Sequence, residues 1–192
     1  MSSRSTGTLI ATGALALALL PFNSSAVANE GQGIARTCTP GKTYINWQGI
    51  SKEKTLTHGI KLRTVSGSVR VSPPRIATIK AAVTGSLQPS AAIMSLEKKT
   101  GLNLASAGKK TPHTVRFAAR TKRGQTAFFA GTTKASGKYT AKTCNTAGTG
   151  YGRTRIGETT SWTTMATGAV NCADRPVLGS LQAKAKTKFC TG

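Results

Sequence analysis

Four cysteines set the strongest limit on how this chain can fold: Cys38, Cys144, Cys172 and Cys190. No two of them lie at C-x-x-C spacing and the chain has only 2 histidines, so we expect no metal site. In an oxidising compartment an even number of cysteines forms disulfides, and four cysteines allow three pairings. We expect two disulfides, Cys144–Cys172 and Cys38–Cys190, the second joining the N-terminal segment to the end of the chain.

The first 28 residues have the order of a secretory signal peptide. Arg4 precedes the apolar run 9–22, and Ala26, Val27 and Ala28 form a small-x-small cleavage site. That run is shorter than the roughly 20 residues that a membrane-spanning helix needs. We therefore expect cleavage after Ala28 and a secreted, extracellular protein with no membrane span.

Positive charge dominates the composition. The chain has 27 Lys and Arg residues against 5 Asp and Glu residues, for a formal net charge of +22. Most of the cations cannot find an acidic partner within the chain, so the protein is attracted to anionic molecules. Candidate partners are an acidic secreted protein in a hetero-complex, nucleic acid, an anionic wall polymer, or anionic lipid headgroups. A high charge that only keeps the protein soluble is the alternative.

Short alternating segments separated by glycines predict a fold that is mainly β. Apolar and basic residues alternate around the turn Ser66-Gly67, which predicts one β-hairpin. A second hairpin is predicted with Lys122, Arg123 and Gly124 at its tip. Many short strands of this kind are typical of a small β-sandwich or barrel.

The predicted domain organisation is simple. The glycine-rich residues 29–41 contain little apolar surface and predict an extended N-terminal arm. Residues 42–192 then form a single β-rich domain, held together by two disulfides. This length suits one domain, which buries roughly 70% of its unfolded surface.

One segment has a helical pattern. We expect one short helix over residues 90–100, with Ser90 as its N-cap and Gly101 as its stop. Ala92, Ile93 and Leu96 share one face of this helix, which predicts that it docks on a sheet.

The segment 181–190, LQAKAKTKFC, alternates between apolar and polar residues. Because successive strand residues point to opposite faces, the alternation predicts a terminal strand with Lys184, Lys186 and Lys188 in one row. Such a row either protects a sheet edge from aggregation or steers the protein to an acidic cleft.

Catalytic motifs are absent from the sequence. It contains no G-x-S-x-G, H-E-x-x-H or P-loop pattern, so we expect no enzyme and no cofactor. The remaining enzymatic alternative is a basic secreted nuclease or toxin. His58 or His113 would then act with Glu53 or Glu97 as acid and base.

A secreted protease inhibitor is a further alternative. Arg36 precedes Cys38 by two residues, and a disulfide would hold a basic loop there in a fixed conformation.

The stretch 90–144 shows a recognisable layout: SAAIMSLEKKTGLNL, then VRFAARTKRGQTAFFAGTTKASGKYTAKTC. A helix closed by Gly101 is followed by a strand, a basic glycine turn, another strand, and Gly137-Lys138-Tyr139 running towards a cysteine. This layout resembles small secreted actinobacterial proteins such as the small adaptor subunit of umbrella toxin particles. The resemblance implies a non-catalytic piece that joins a lectin-bearing, receptor-binding subunit to a large toxin-carrying subunit.

The sequence thus predicts a secreted, non-catalytic binding or adaptor module that docks to an acidic partner protein in an extracellular complex. Its predicted partner-binding residues are basic and come from the arm, the turn and the terminal segment: Arg36, Lys122, Arg123, Lys184, Lys186 and Lys188.

Overall fold

The computed structural model describes residues 37–191. The expected signal peptide, Arg36 and all but the last residues of the expected arm lie outside this range. The described chain is mainly β, as predicted. Its elements in chain order are β1 (Thr43–Thr64), β2 (Gly67–Val71), β3 (Ala82–Val83), α1 (Pro89–Thr100), β4 (Phe117–Thr121), β5 (Gly124–Thr143), β6 (Arg155–Trp162), β7 (Ala166–Asn171) and α2 (Leu181–Cys190).

Strand β5 is the centre of a five-stranded antiparallel sheet. One edge of β5 pairs with β1 along nearly its whole length, from Thr43 opposite Thr143 to Thr64 opposite Gly124. The other edge pairs with β7 in its first half and with β6 in its second half, and β3 extends β6. Neither sheet closes within residues 37–191, so the expected sandwich or barrel is not confirmed.

Both predicted hairpins are wrong. β1 does not fold back onto β2, and β4 does not fold back onto β5. β2 instead pairs with β4, and this pair continues the β1–β5 ladder: Thr64 lies opposite Gly124, and Gly67 lies opposite Thr121. The glycines that we interpreted as turns, Gly67 (φ 146°) and Gly124 (φ 139°), belong to a kink. A glycine with positive φ can form either a hairpin turn or a kink. Which of the two forms depends on the partner strand, and that strand is distant in sequence.

Helix α1 confirms the predicted helix. It begins one residue earlier than expected, with Gln88 as N-cap and proline in its first turn, so Ser90 is not the cap. It ends as predicted at Gly101 (φ 69°), where the Gly101 N–H donates to the Glu97 carbonyl. Ala92, Ile93 and Leu96 are buried in clusters with Tyr139, Ala141, Ala135 and Leu104. The helix therefore packs against the half of the sheet in which β5 pairs with β6.

The predicted terminal strand is wrong, because residues 181–190 form helix α2, the second helix of the described chain. The Ser180 hydroxyl caps it by accepting a hydrogen bond from the Ala183 N–H at 3.0 Å. Leu181, Ala185 and Phe189 pack against the core at i, i+4 and i+8. When every second residue is apolar, apolar residues also recur at every fourth position, which lie on one face of a helix. The alternation therefore fits a helix as well as a strand. The good helix formers Leu, Gln, Ala and Lys favour the helix.

Two disulfides are present, as expected, but their pairing differs from the prediction. Cys38 bonds to Cys144 and Cys172 bonds to Cys190. Cys38 and Cys144 meet because Thr43 and Thr143, close to them in sequence, are opposite each other in the β1–β5 ladder. Cys172 follows β7 directly, and α2 packs back over the sheet to bring Cys190 beside it.

Candidate functional site

The three lysines of α2 do not form a row. A helix places Lys184 and Lys188 on one side, four residues apart, and turns Lys186 away from them. Lys184 Nζ lies 3.2 Å from Glu53 Oε1 of β1. Lys186 Nζ donates instead to the Asp174 carbonyl at 2.6 Å. The predicted lysine strand is therefore divided between two surfaces.

The basic residues of the second predicted turn lie in the kink between β4 and β5. Lys122 Nζ is 3.9 Å from Asp174 Oδ1, and both side chains are largely exposed. Arg123 is exposed. Asp174 is thus contacted by Lys122 through its carboxylate and by Lys186 through its backbone carbonyl. The structure brings these two predicted site residues together, but neither lines the groove described next.

An open groove of about 630 Å³ lies between β1, α2 and the loop that precedes α2. We call it the lysine groove. Three lysines line it, Lys54 from β1 and Lys184 and Lys188 from α2, while the half-buried Ala77 and Ala183 contribute apolar surface. Lys54 was missed by the sequence analysis, because nothing local shows that α2 packs against β1.

The charge of the lysine groove is positive. Among residues 37–191, Glu53 is the only carboxylate that lines it, and this group is already paired with Lys184. Within residues 37–191, Lys54 and Lys188 have no carboxylate within ion-pair distance. An anionic group entering the groove would therefore meet two cations whose charge is not neutralised by the protein.

The loop before α2 presents two adjacent apolar side chains to solvent. Val177 is 80% exposed and Leu178 is 92% exposed, and Leu178 also lines the lysine groove. The Val177 carbonyl accepts from the Ser180 N–H at 3.1 Å, and the Cys172–Cys190 bond closes the segment that contains the loop. Single exposed apolar residues are ordinary. Two adjacent ones, of which Leu178 lines a cationic groove, form a candidate interaction surface.

The histidines and carboxylates of the nuclease alternative do not converge. His58 is fully buried. Its Nδ1 is 3.0 Å from the Thr57 hydroxyl and its Nε2 is 3.1 Å from the His113 carbonyl. Glu53 pairs with Lys184, and Glu97 Oε1 accepts from the Leu104 N–H at 2.8 Å. Both ring nitrogens of His58 are therefore engaged in holding the fold together.

Residues 37–191 contain neither a metal-binding cluster nor a helix that could span a membrane. No group of three or more His, Cys, Asp or Glu side chains is arranged to hold a metal ion. No helix in this range has the length and apolar character to cross a membrane.

Comparison with known proteins adds no family to this description. No protein-family model, no curated protein and no solved structure matches this chain.

Proposed function

We propose that this protein is a non-catalytic docking module whose lysine groove binds an acidic segment of a partner protein. The observation that supports the proposal is the combination of unpaired cations with exposed apolar surface at one place. Lys54 and Lys188 supply the charge, and the exposed Leu178 with the half-buried Ala183 supplies the apolar contact.

The groove favours a segment in which acidic and apolar residues are close together. A carboxylate near Lys54 or Lys188 gains a charge-assisted hydrogen bond. An apolar side chain of the partner segment that covers Leu178 removes this leucine from water, and burial of an exposed leucine contributes about 1.5–3 kcal/mol. A purely acidic segment would lose this second contribution, and a purely apolar one would lose the first.

The proposed setting is an extracellular hetero-complex. The two disulfides are typical of an oxidising compartment, and the sequence layout of residues 90–144 resembles the adaptor subunit of umbrella toxin particles. In that setting the chain would link a receptor-binding subunit to a toxin-carrying one, and the lysine groove would be one of its two contacts.

The test is titration of the protein with two labelled peptides, followed by fluorescence anisotropy. One peptide alternates glutamate with leucine, and its control carries glutamine in place of every glutamate. We expect only the acidic peptide to bind, and to bind still at about 500 mM salt, where screened surface attraction alone has faded.

Matched variants locate the binding site. Lys54→Gln with Lys188→Gln should weaken peptide binding about tenfold, the equivalent of about 1.4 kcal/mol. Lys98→Gln with Lys99→Gln removes the same charge from exposed positions in the last turn of α1 and should change affinity less than twofold. Equal losses in the two variants would show that only the net charge matters, and the proposal would be wrong.

A further inference from the structure

The two-stranded sheet of β2 and β4 has two different faces. Val69 and Val71 of β2, with Phe117 and Ala119 of β4, are half-buried. The alternate positions are exposed. Ser68 lies opposite Arg120, and Arg70 lies opposite Ala118. The outer face of this sheet therefore carries arginine on both of its strands.

A third arginine joins them at the end of the sheet. Arg116 immediately precedes β4 and is exposed. Together with Arg70 and Ser72 it lines an open cleft of about 410 Å³. We call Arg70, Arg116 and Arg120 the arginine cluster. Diagonal neighbours on an antiparallel pair are on the order of 7 Å apart, so the three long side chains can reach one ligand chain.

The arginine cluster has no counter-charge in the described part of the chain. None of its three guanidinium groups makes an ion pair or hydrogen bond there. The four carboxylates of residues 37–191 are engaged elsewhere. Their partners are Lys184 for Glu53, Lys138 for Glu158, Lys122 for Asp174, and the Leu104 N–H for Glu97.

The residue type narrows the chemistry of the ligand. Guanidinium is planar and presents a fork of N–H donors that fits two phosphate oxygens, whereas a lysine ammonium acts as a point charge. Ser68 and Ser72 are exposed in the same sheet and loop, and hydroxyl groups commonly donate to phosphate oxygens. Three unpaired arginines on one face suit a ligand with several phosphates along one chain.

We propose that the arginine cluster binds the phosphodiester backbone of a single-stranded nucleic acid. This function goes beyond the docking of an acidic protein segment, because it uses the other sheet and a different set of cations. Guanidinium planes also stack on nucleobases, which a polyol-phosphate wall polymer lacks, so the nucleic acid is the favoured occupant. The cleft at the arginine cluster and the lysine groove share no lining residue.

The test measures binding of the full chain to three labelled probes over a range of salt concentrations. The probes are a mixed-sequence single-stranded oligonucleotide, a poly(glycerol phosphate) chain, and heparin as a polymer that carries sulfate instead of phosphodiester. Binding of the oligonucleotide more tightly than the other two probes supports the proposal. Poly(glycerol phosphate) binding as tight as the oligonucleotide would overturn the assignment to a nucleic acid. Heparin binding as tight as the oligonucleotide would also overturn it, since charge density alone would then suffice.

Variants assign the contacts. Arg70→Gln, Arg116→Gln and Arg120→Gln together should reduce the slope of log affinity against log salt by about two, because each phosphate contact on a single strand contributes about 0.7. Lys98→Gln, Lys99→Gln and Lys110→Gln remove equal charge from exposed positions and should leave the slope within about 0.5 of its original value. Equal slope changes in the two triple variants would contradict the assignment.

A charge-preserving variant separates the fork geometry from charge. Replacing all three arginines with lysine should keep the salt slope and weaken binding several-fold. Circular dichroism checks that each variant is folded. The glutamine variant of the arginine cluster should bind the acidic peptide normally, so the failure of either proposal can be recognised separately.

Discussion

Thr64 and Thr121 make equivalent hydrogen bonds, in which each hydroxyl donates to the carbonyl of the residue that follows the other threonine. The Thr64 hydroxyl donates to the Lys122 carbonyl at 2.8 Å, and the Thr121 hydroxyl donates to the Val65 carbonyl at 2.8 Å. Each threonine stands three residues before a glycine, in TVSG and TKRG. Because Thr64 is opposite one glycine and Thr121 is opposite the other, the kink has approximate two-fold symmetry.

The two threonines should nevertheless differ in their effect on stability. Thr64 is buried and also lies 2.9 Å from the Thr126 hydroxyl, whereas the bonds of Thr121 are exposed to solvent. We expect Thr64→Val to cost about 1–3 kcal/mol and Thr121→Val less than about 1 kcal/mol. Urea denaturation measures both, with the exposed Thr78→Val as control. Equal costs would contradict this explanation.

Gly157 occupies a position where a methyl group does not fit. An added Cβ would lie 2.1 Å from the Thr84 carbonyl oxygen and 2.5 Å from the Tyr139 hydroxyl. The Tyr139 hydroxyl donates a hydrogen bond to the Thr84 carbonyl at 2.8 Å, so movement of either group would break this bond. We expect Gly157→Ala to destabilise the fold by about 3 kcal/mol. Gly152→Ala, where the nearest atom is 3.6 Å away, is the control and should change the melting temperature little.

The disulfide pairing is directly testable. Digestion without reductant should give one linked peptide pair that contains Cys38 and Cys144 and another that contains Cys172 and Cys190. The Cys38–Cys144 bond spans a sequence separation of 106 and the Cys172–Cys190 bond one of 18. In the loop-entropy model, loss of the first costs about 5 kcal/mol and loss of the second about 3 kcal/mol. If loss of the Cys172–Cys190 bond lowered the melting temperature more than loss of the Cys38–Cys144 bond, this order would be wrong.

Leu178 should affect binding without affecting stability. Since 92% of this residue is exposed, Leu178→Ser removes almost no buried contact, and the free energy of unfolding should change by less than about 0.5 kcal/mol. Binding of the acidic, leucine-containing peptide should weaken about tenfold. Val65→Ser, at another exposed position outside the lysine groove, should leave binding unchanged. A stability loss as large as that of a core substitution would show that Leu178 packs within the protein.

Local patterns predicted those parts of the fold that depend on neighbouring residues. Helix α1 is specified by Gly101 and by the apolar spacing of Ala92, Ile93 and Leu96, all within one short segment. The mainly β content follows from alternation and glycine spacing in the same way. These features need no knowledge of what the segment packs against.

The remaining features depend on partners that are distant in sequence. Whether Gly67 and Gly124 form turns or kinks is decided by pairing between strands about 60 residues apart, which no local pattern encodes. The segment 181–190 satisfies a strand and a helix equally well by its apolar residues alone. Lys54 lines the lysine groove only because α2 packs on β1. Since residues 181–190 were predicted to be a strand, the sequence did not indicate that Lys54 lines a groove with Lys184 and Lys188.

The central position of β5 has a consequence for how the chain folds. Every strand pair of the five-stranded sheet includes β5 or β6. A chain that has been synthesised only as far as residue 123 therefore cannot form any pair of this sheet, although β1 is already complete. Because distant pairing must precede any stabilisation of the sheet, we expect folding to be slow, with β1 lacking its native partner until β5 has been synthesised.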